Sequence, residues 1–250
     1  AVVTEDFGWG DEVFLSFLPL SHAYEHTAGL YFPISIKAQI YYAESIETLS
    51  ANLTEARPTI MVSVPRLYEV MHRRIVLGLK RQSVLKQSLF AKAVALGRKD
   101  YEKRGSLGAL QSVLNRVLER LVRDKVRARF GGRLKAMISG GAPLNPEVGI
   151  FFTALGVRLL QGYGQTEAAP VISCNPPHKV KLHTVGPALE RVEVKIAEDG
   201  EILARGEMIM NGYWNDETST NAVLRDGWLH TGDIGHLDAD GYIQITDRKK

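Results

Sequence analysis

Hydrophobic residues in the first quarter of the chain fall into short continuous runs. The runs at 13–18, 38–42 and 59–64 are rich in strand-forming residues, and each has the length of a buried strand. Apolar residues at helical spacing between the last two runs predict a short helix over 45–52. Pro65, directly after the third run, suits the first turn of a further helix.

Residues 66–130 have a helical pattern, with apolar residues at three- and four-residue steps and arginines between them. The pattern predicts helices with one apolar and one basic face. Gly105 and Gly108 predict a break between two long helical segments. The apolar positions are Val113, Val117, Leu118, Leu121, Val122 and Val126, and the basic ones are Arg116, Arg120, Arg123 and Arg127.

Strand patterns return after Gly132. The order strand, helix, strand over 134–138, 146–155 and 157–160 predicts a parallel sheet with a right-handed crossover. From Val185 onward, alternating residues and turns at 198–200 and 238–241 predict two hairpins. We therefore predict an α/β fold. A layered parallel-sheet subdomain with helices covers residues 1–184, and a smaller, mostly β subdomain covers residues 185–246.

Composition places the 250 residues among globular proteins, because 45% are hydrophobic and 24% are charged. The single cysteine, Cys174, excludes an intrachain disulfide framework and favours a reducing compartment. No apolar run has the length of a membrane span, and the N-terminal residues do not resemble a signal peptide. We expect a cytoplasmic protein.

The net charge of +3 conceals an uneven distribution. Residues 71–135 contain 18 Lys or Arg and four Asp or Glu, so this basic block carries +14 and the remainder −11. A block of this kind suits an anionic membrane surface. The protein would then bind peripherally at the inner face of the membrane. A solvated basic face is the alternative. No nucleic acid is expected, because aromatic residues are not interleaved with the basic ones.

The segment Gln-Gly-Tyr-Gly-Gln-Thr-Glu at 161–167 follows a predicted strand, and loops at strand ends line the ligand crevice of an open α/β sheet. Its two glycines allow a ligand to approach the backbone, and Tyr163 offers a ring for stacking. Thr166 has a hydroxyl for a phosphate oxygen, and Glu167 is a hard ligand suited to Mg²⁺. A glycine-rich turn with a solvated glutamate is the alternative.

Two further segments support a nucleotide site. Gly140, Gly141 and Ala142 follow the preceding predicted strand, where their backbone would form one wall of a pocket for a planar base. Asp233 and Arg248 end two later segments, and a carboxylate with a guanidinium would hold two ribose hydroxyls. An ordinary loop and a turn-capping aspartate are the respective alternatives.

These segments, in this order, resemble the adenylate-forming enzymes, which include acyl-CoA synthetases, nonribosomal peptide adenylation domains and firefly luciferase. The matching motifs are Gly-Gly-Ala-Pro at 140–143, the segment at 161–167, Gly-Trp-Leu-His-Thr-Gly-Asp at 227–233 and Gly-Tyr-Ile-Gln-Ile-Thr-Asp-Arg-Lys-Lys at 241–250. Leu-Pro-Leu-Ser-His-Ala-Tyr-Glu at 18–25 and the segment at 56–68 are most similar to long-chain fatty acyl-CoA synthetases.

The resemblance implies a role for each matching residue. Thr166 would contact the α-phosphate, Glu167 would bind Mg²⁺, and His22 would border the acyl pocket. Lys250 would be the hinge residue, in a hinge segment that begins at 247–250 and leads to a small mobile C-terminal domain. Adenine would be surrounded by Gly140, Gly141, Ala142, Gln161, Gly162, Tyr163 and Gly164, and the ribose would be held by Asp233 and Arg248.

The activity that the resemblance implies is ATP-dependent ligation of a fatty acid to CoA through an acyl-AMP intermediate. Two alternatives stay open: an acyl-AMP ligase that transfers to a carrier protein, and a noncatalytic binding module with a basic membrane-facing surface. The family's phosphate loop and its lysine-bearing C-terminal domain are expected outside these 250 residues. We therefore expect the chain to bind AMP or an acyl-adenylate better than it catalyses turnover.

Overall fold

The computed structural model describes residues 7–103 and 106–249, which form two β-sheets and a helical layer. The strands are β1 (Val13–Ser16), β2 (Gln39–Tyr42), β3 (Ile60–Ser63), β4 (Ala136–Ser139), β5 (Leu159–Tyr163), β6 (Ser173–Cys174), β7 (Glu193–Ile196), β8 (Glu201–Arg205), β9 (Leu224–Arg225), β10 (Trp228–Leu237) and β11 (Ile243–Arg248).

The α-helices lie mainly between β3 and β5. They are α1 (Ala23–Glu25), α2 (Phe32–Ser35), α3 (Leu49–Ala56), α4 (Pro65–Lys80), α5 (Val84–Glu102), α6 (Ala109–Leu118), α7 (Asp124–Arg129), α8 (Pro146–Ala154) and α9 (Glu217–Val223). Two π-helical segments, His26–Tyr31 and Glu119–Arg123, and a 3-10 turn, Thr166–Ala168, complete the list for the described residues. In this part of the chain, no helix combines the length and the apolar character of a membrane span.

The first sheet has the order β2-β1-β3-β4-β5-β6. Its first five strands are parallel, and β6 runs antiparallel to β5. All four residues of β1 and of β3 are buried, as expected for strands that are covered on both faces. The predicted parallel sheet with helices is therefore confirmed. Pro65 also begins α4, as the sequence predicts, because its missing N–H would be unpaired in the first helical turn.

Strand β5 begins and ends later than the prediction of 157–160. Gln161 pairs with Ser139 of β4, and Tyr163 pairs with Ser173 of β6. The first three residues of the segment at 161–167 therefore belong to the sheet, which fixes their backbone. The first predicted helix, over 45–52, is similarly displaced and lies at Leu49–Ala56, because Ser45 and Thr48 form a hydrogen-bonded turn before it.

The interpretation of the basic helical section was wrong in two respects. A break at 81–83 divides α4 from α5, whereas the sequence predicted only a break near Gly108; Gly105 lies outside the described residues. The predicted faces also differ, since Val113 and Val117 are exposed while Arg123 is only 4% exposed. The π-helical segment Glu119–Arg123 explains this difference, because its wider turn rotates the residues after α6 relative to those before.

The second sheet has the order β11-β10-β8-β7, with β9 paired to β10. The pairs β7–β8 and β10–β11 are antiparallel, which confirms both predicted hairpins, although β10 extends back to Trp228. Gly200 and Gly241 occupy the two turns with φ of 85° and 78°, a region that glycine adopts without strain. The domain boundary at residue 185 stays a prediction. Near it, Val185 donates its N–H to the Ile243 carbonyl at 2.9 Å.

Candidate functional site

A cleft of about 1550 Å³ opens where β4 and β5 end and the second sheet begins. Parallel strands present their carboxyl ends at the same edge of a sheet, so the loops after β4 and β5 are neighbours there. The structure brings all the predicted site residues within the described chain to the lining of this cleft. They are His22, Gly140, Gly141, Ala142, Gln161, Gly162, Tyr163, Gly164, Thr166, Glu167, Asp233 and Arg248. Lys250, the predicted hinge residue, lies outside the described residues.

Asp233 is fixed in the cleft by two side chains of the segment at 161–167. The Tyr163 hydroxyl donates to Asp233 Oδ2 at 2.6 Å, and Gln165 Nε2 donates to the same oxygen at 2.9 Å. Gln165 also donates to the Thr231 carbonyl at 2.6 Å. Arg248 Nε lies 3.7 Å from the other carboxylate oxygen, Oδ1. The carboxylate is therefore oriented, with Oδ2 held by two donors and Oδ1 on the side of Arg248.

Tyr163 has a different environment from the one that the sequence predicts. Its side chain is buried, and burial together with the hydrogen bond to Asp233 raises the pKa of its phenol. The phenol therefore remains protonated and acts as a donor to Asp233. The sequence predicted only a ring for stacking, and it did not single out Gln165, although that residue lies inside the segment at 161–167.

Glu201, which the sequence did not predict, holds the turn immediately before Asp233. Its carboxylate accepts the Gly232 N–H at 2.8 Å, and Lys249 Nζ lies 2.7 Å from Oε2. His230 Nδ1 lies 2.9 Å from the same Oε2. Burial alone would raise the pKa of Glu201, but Lys249, His230 and the Gly232 N–H lower it below its ordinary value. This buried carboxylate thus joins the turn before Asp233 to the end of β11.

We expect the Glu201 network to make stability depend on acid pH. The pKa of Glu201 is lower in the folded protein than in an unfolded chain, so its contribution is present above the unfolded pKa and is lost as the pH falls. Between about pH 5 and 3, the melting temperature should fall more steeply for the wild type than for Glu201→Gln. Glu198→Gln, at an exposed glutamate nearby, is the control. Parallel profiles for wild type and Glu201→Gln would contradict the prediction.

The loop after β4 forms a flat wall of the cleft. A Cβ at Gly140 would lie 2.9 Å from Cζ of Tyr24, whose hydroxyl donates to the Ile138 carbonyl at 3.1 Å. Gly141 has a φ of 80°, and only Val64 Cγ1, at 3.9 Å, is near its Cβ position. The first glycine is thus required by the packed tyrosine and the second by its backbone conformation.

Gln161 forms part of another wall, and two of its polar groups are hydrogen-bonded. Its Nε2 donates to the Leu182 carbonyl at 2.5 Å, and its carbonyl accepts the Asn175 N–H at 2.8 Å. Gly162 is similarly confined, since a Cβ there would lie 3.2 Å from the Ser173 carbonyl. These contacts fix the backbone between β5 and β6.

Thr166 and Glu167 begin the 3-10 turn Thr166–Ala168, at the rim of the cleft. Thr166 is exposed. Glu167 Oε1 accepts a hydrogen bond from the Tyr213 hydroxyl at 2.8 Å, and this bond raises the pKa of Tyr213. Tyr213 comes from the segment before α9, and the sequence did not single it out.

The carboxylate of Glu167 fits the predicted Mg²⁺ in one respect. The described residues contain no group of three or more His, Cys, Asp or Glu that could hold a metal ion. Mg²⁺ commonly takes one or two carboxylates and completes its shell with water and substrate phosphates. Glu167, at the rim near the Thr166 hydroxyl, is compatible with that incomplete type of site.

His22 lies on the side of the cleft formed by β1. It is exposed, and its Nδ1 accepts the Tyr24 N–H at 3.2 Å, so it caps α1. Behind it, Glu25 is fully buried and accepts a hydrogen bond from the Ser16 hydroxyl at 2.6 Å. Burial raises the pKa of Glu25, although Ser16 and two backbone N–H groups oppose that shift. The sequence did not predict this carboxyl.

The cleft also has apolar walls. Phe14, Phe32, Ile138 and Leu189 contribute to its lining, together with the buried Cys174. Burial raises the pKa of the Cys174 thiol to about 12, so the thiol is protonated at neutral pH. One cleft therefore combines an oriented carboxylate and cation, two glycine-lined walls, an exposed hydroxyl and an apolar surface.

Residues 1–214 match the sequence model of a family described as AMP-binding enzyme. The chain belongs to the AMP-binding enzyme family. A long-chain-fatty-acid–CoA ligase of Mycobacterium tuberculosis, FadD15, is 33% identical to it over 239 residues, which cover 96% of the chain and 40% of that protein. The peroxisomal long chain acyl-CoA synthetase 6 of Arabidopsis thaliana is 35% identical over 261 residues, covering 97% of the chain and 36% of that protein. The chain thus spans well under half the length of these curated relatives.

Two solved structures share the fold. The o-succinylbenzoate CoA synthetase of Bacillus subtilis, in complex with its acyl-adenylate intermediate, aligns with a TM-score of 0.68 and 20% identity over 99% of the chain and 43% of that protein. The N-terminal domain of FACL13 from Mycobacterium tuberculosis aligns with a TM-score of 0.66 and 19% identity over 95% of the chain and 51% of that domain. At these identities the alignments show the fold alone.

Proposed function

We propose that the chain forms the nucleotide- and acyl-binding part of an ATP-dependent long-chain fatty acid–CoA ligase. Family membership and the names of the curated relatives support an acid–thiol ligase. The observation that carries the proposal is that four separated motifs line one cleft, where Tyr163 and Gln165 bind Asp233. Motifs that served only as turns would not need to line the same cleft.

In the proposed complex, AMP or ATP lies along the carboxyl ends of β4 and β5. Adenine packs between the wall formed by Gly140 to Ala142 and the β5 backbone at Gly162. The ribose hydroxyls donate to Asp233 Oδ1, since Oδ2 already accepts from Tyr163 and Gln165. Arg248 adds a donor to the same sugar, and Thr166 at the rim donates its hydroxyl to the α-phosphate.

The proposed reaction has two steps. A fatty carboxylate oxygen attacks the α-phosphorus of ATP, forming an acyl-phosphate bond while pyrophosphate leaves. The CoA thiol then loses its proton and attacks the acyl carbon, forming the thioester as AMP leaves. Glu167 would hold Mg²⁺, which would supply positive charge against the phosphates. The chain itself contributes by binding and orienting both substrates, which can lower a barrier substantially without a covalent intermediate.

No side chain of the cleft has to act as a nucleophile in this scheme. The Cys174 thiol stays protonated because burial raises its pKa to about 12. The apolar wall that includes Phe14 and Phe32 would take the hydrocarbon of the fatty acid, whereas the polar rim near His22 would face its carboxylate. This division of the cleft matches an amphipathic substrate.

The ribose role of Asp233 is testable by AMP binding. We expect Asp233→Ala to weaken binding of AMP about tenfold or more, because hydrogen bonds to a charged group contribute about 1.5–3 kcal/mol. Asp233→Asn should have a smaller effect, since it keeps a carbonyl acceptor. Titration calorimetry with AMP measures both, and Asp100→Ala, an exposed aspartate on α5, is the control. Equal affinities for wild type and Asp233→Ala would remove Asp233 from the site.

The acceptor is tested separately, in the protein that carries this chain. Palmitate, ATP and CoA should give palmitoyl-CoA and AMP, measured by mass spectrometry of the products. Accumulation of palmitoyl-AMP with no thioester would instead support transfer to a carrier protein. Absence of any adenylate, with AMP binding retained, would support a noncatalytic binding module.

A further inference from the structure

Helix α6 and the π-helical segment that follows it expose a line of large apolar side chains along the surface of the helical layer. Leu110 is 84% exposed, Val113 59% and Val117 46%, and Leu114 and Leu121 are also exposed. Their spacing of three and four residues places them on one face, over a length of about 16 Å. We name these five residues the α6 stripe. Single exposed apolar residues are common in proteins, but a contiguous line of this kind marks a contact surface.

The α6 stripe does not hold the helix on the protein. That role belongs to another face, where Leu118 is fully buried and Val122 is 7% exposed. Both residues belong to the main core, together with Phe151 and Phe152 of α8. The helix is thus anchored through one apolar face and presents a second one to the outside. Packing against the core therefore does not explain why the second face is apolar.

Two arginines beside the α6 stripe are exposed and unpaired. Within the described chain, neither Arg116 nor Arg120 has an acidic side chain at ion-pair distance. Glu119, which lies between them in sequence, pairs instead with Arg123 at 3.3 Å and Arg127 at 2.6 Å. The block from 71 to 135 adds a net charge of +14. The surroundings of the α6 stripe are therefore cationic, with free guanidinium groups at its border.

We propose that the α6 stripe binds the interface of an anionic lipid bilayer, with the helix parallel to the membrane plane. Leu and Val side chains would enter the acyl boundary, while Arg116 and Arg120 would contact lipid phosphates. Charge complementarity favours this partner, because the flanking groups are positive and unpaired. A flat bilayer also suits a straight apolar line, whereas a protein partner would need a matching groove. The proposal does not depend on the proposed function.

Vesicle binding tests the proposal in the protein that carries this chain. We expect association with vesicles of phosphatidylcholine and phosphatidylglycerol, and much less with phosphatidylcholine alone. The double variant Val113→Asn with Val117→Asn should weaken association about tenfold or more. Arg116→Gln with Arg120→Gln should weaken it about thirtyfold at low salt, and this difference should shrink at high salt. Val84→Asn, at a residue that is 82% exposed on α5, is the matched control.

A site-specific probe separates this surface from other modes of binding. Cys174 is buried and its thiol pKa is raised to about 12, so with any cysteines outside this chain replaced by serine, a dye attached at Val117→Cys labels the α6 stripe selectively. Its emission should shift to the blue on addition of anionic vesicles. No labelling of the folded protein would show that other parts of the same protein cover the α6 stripe. That result, or vesicle binding unaffected by both double variants, would overturn the proposal. AMP affinity, measured in parallel, reports separately on the nucleotide site.

Discussion

Replacing Arg123 with alanine is expected to lower the free energy of unfolding by about 3–5 kcal/mol, a large part of the stability of a domain. Its Nε donates to the Ala154 carbonyl at 2.7 Å, at the C-terminal end of α8. One terminal nitrogen, Nη2, donates to the Ala93 carbonyl of α5 at 2.8 Å. Removal of the side chain would leave both carbonyl groups buried without this donor and would open a cavity between three helices.

The loss of stability on replacing Arg123 should depend on the planar geometry of the guanidinium donors as well as on the charge. Arg123→Lys keeps the charge, but one ammonium group does not reach both carbonyls in the same geometry, so we expect an intermediate loss. Arg120→Ala, three residues away on the exposed side, should change stability by less than about 0.5 kcal/mol. Urea unfolding of the three variants measures these differences. Equal stability of Arg123→Ala and Arg120→Ala would show that the buried contacts contribute nothing.

Arg123 also shows where hydrophobic periodicity fails as a guide. A repeat of three and four residues assigns arginines to the solvent face, and it did so correctly for Arg116 and Arg120. The π-helical segment Glu119–Arg123 changes the phase, and the C-terminal end of α8 supplies the Ala154 carbonyl as an acceptor for the buried guanidinium. Neither feature follows from local residue types. The two predicted hairpins were confirmed, because their turns are local: β7–β8 pairs without a register shift, and β10–β11 keeps its turn although its register shifts between Ile234 and Gly235.

The candidate site was likewise predictable from the sequence in part. Glycines and chemically specialised side chains occur in compact segments, and a parallel sheet brings the ends of neighbouring strands together, so the sequence could predict which segments share a cleft. The supporting contacts are not local. Glu201 reaches the Gly232 N–H across 31 positions, and Tyr213 reaches Glu167 across 46. A strand glutamate and a loop tyrosine carry no distinguishing pattern of their own.

Gly164→Ala is expected to disrupt both stability and nucleotide binding. A Cβ at this position would lie 1.8 Å from the Pro170 carbonyl oxygen and 2.9 Å from Val171 Cα. Both neighbours are backbone, so the clash cannot be relieved by rotating a side chain. Gly164 is not among the glycines with positive φ, and the requirement for glycine is therefore spatial. We expect a loss of about 3 kcal/mol, near the upper range for overpacking.

The same substitution should weaken AMP binding about a hundredfold in protein that remains folded, because Gly164 lies between Tyr163 and Gln165, the two donors to Asp233. Any shift of this backbone moves both donors. The control is Gly78→Ala on α4, where no atom lies within 4 Å of the added Cβ. That change should stabilise the protein by about 0.5–1 kcal/mol, since alanine is the better helix former. Thermal unfolding and AMP calorimetry measure both variants. If Gly164→Ala behaved like Gly78→Ala, the close backbone approach at Pro170 would not constrain the site.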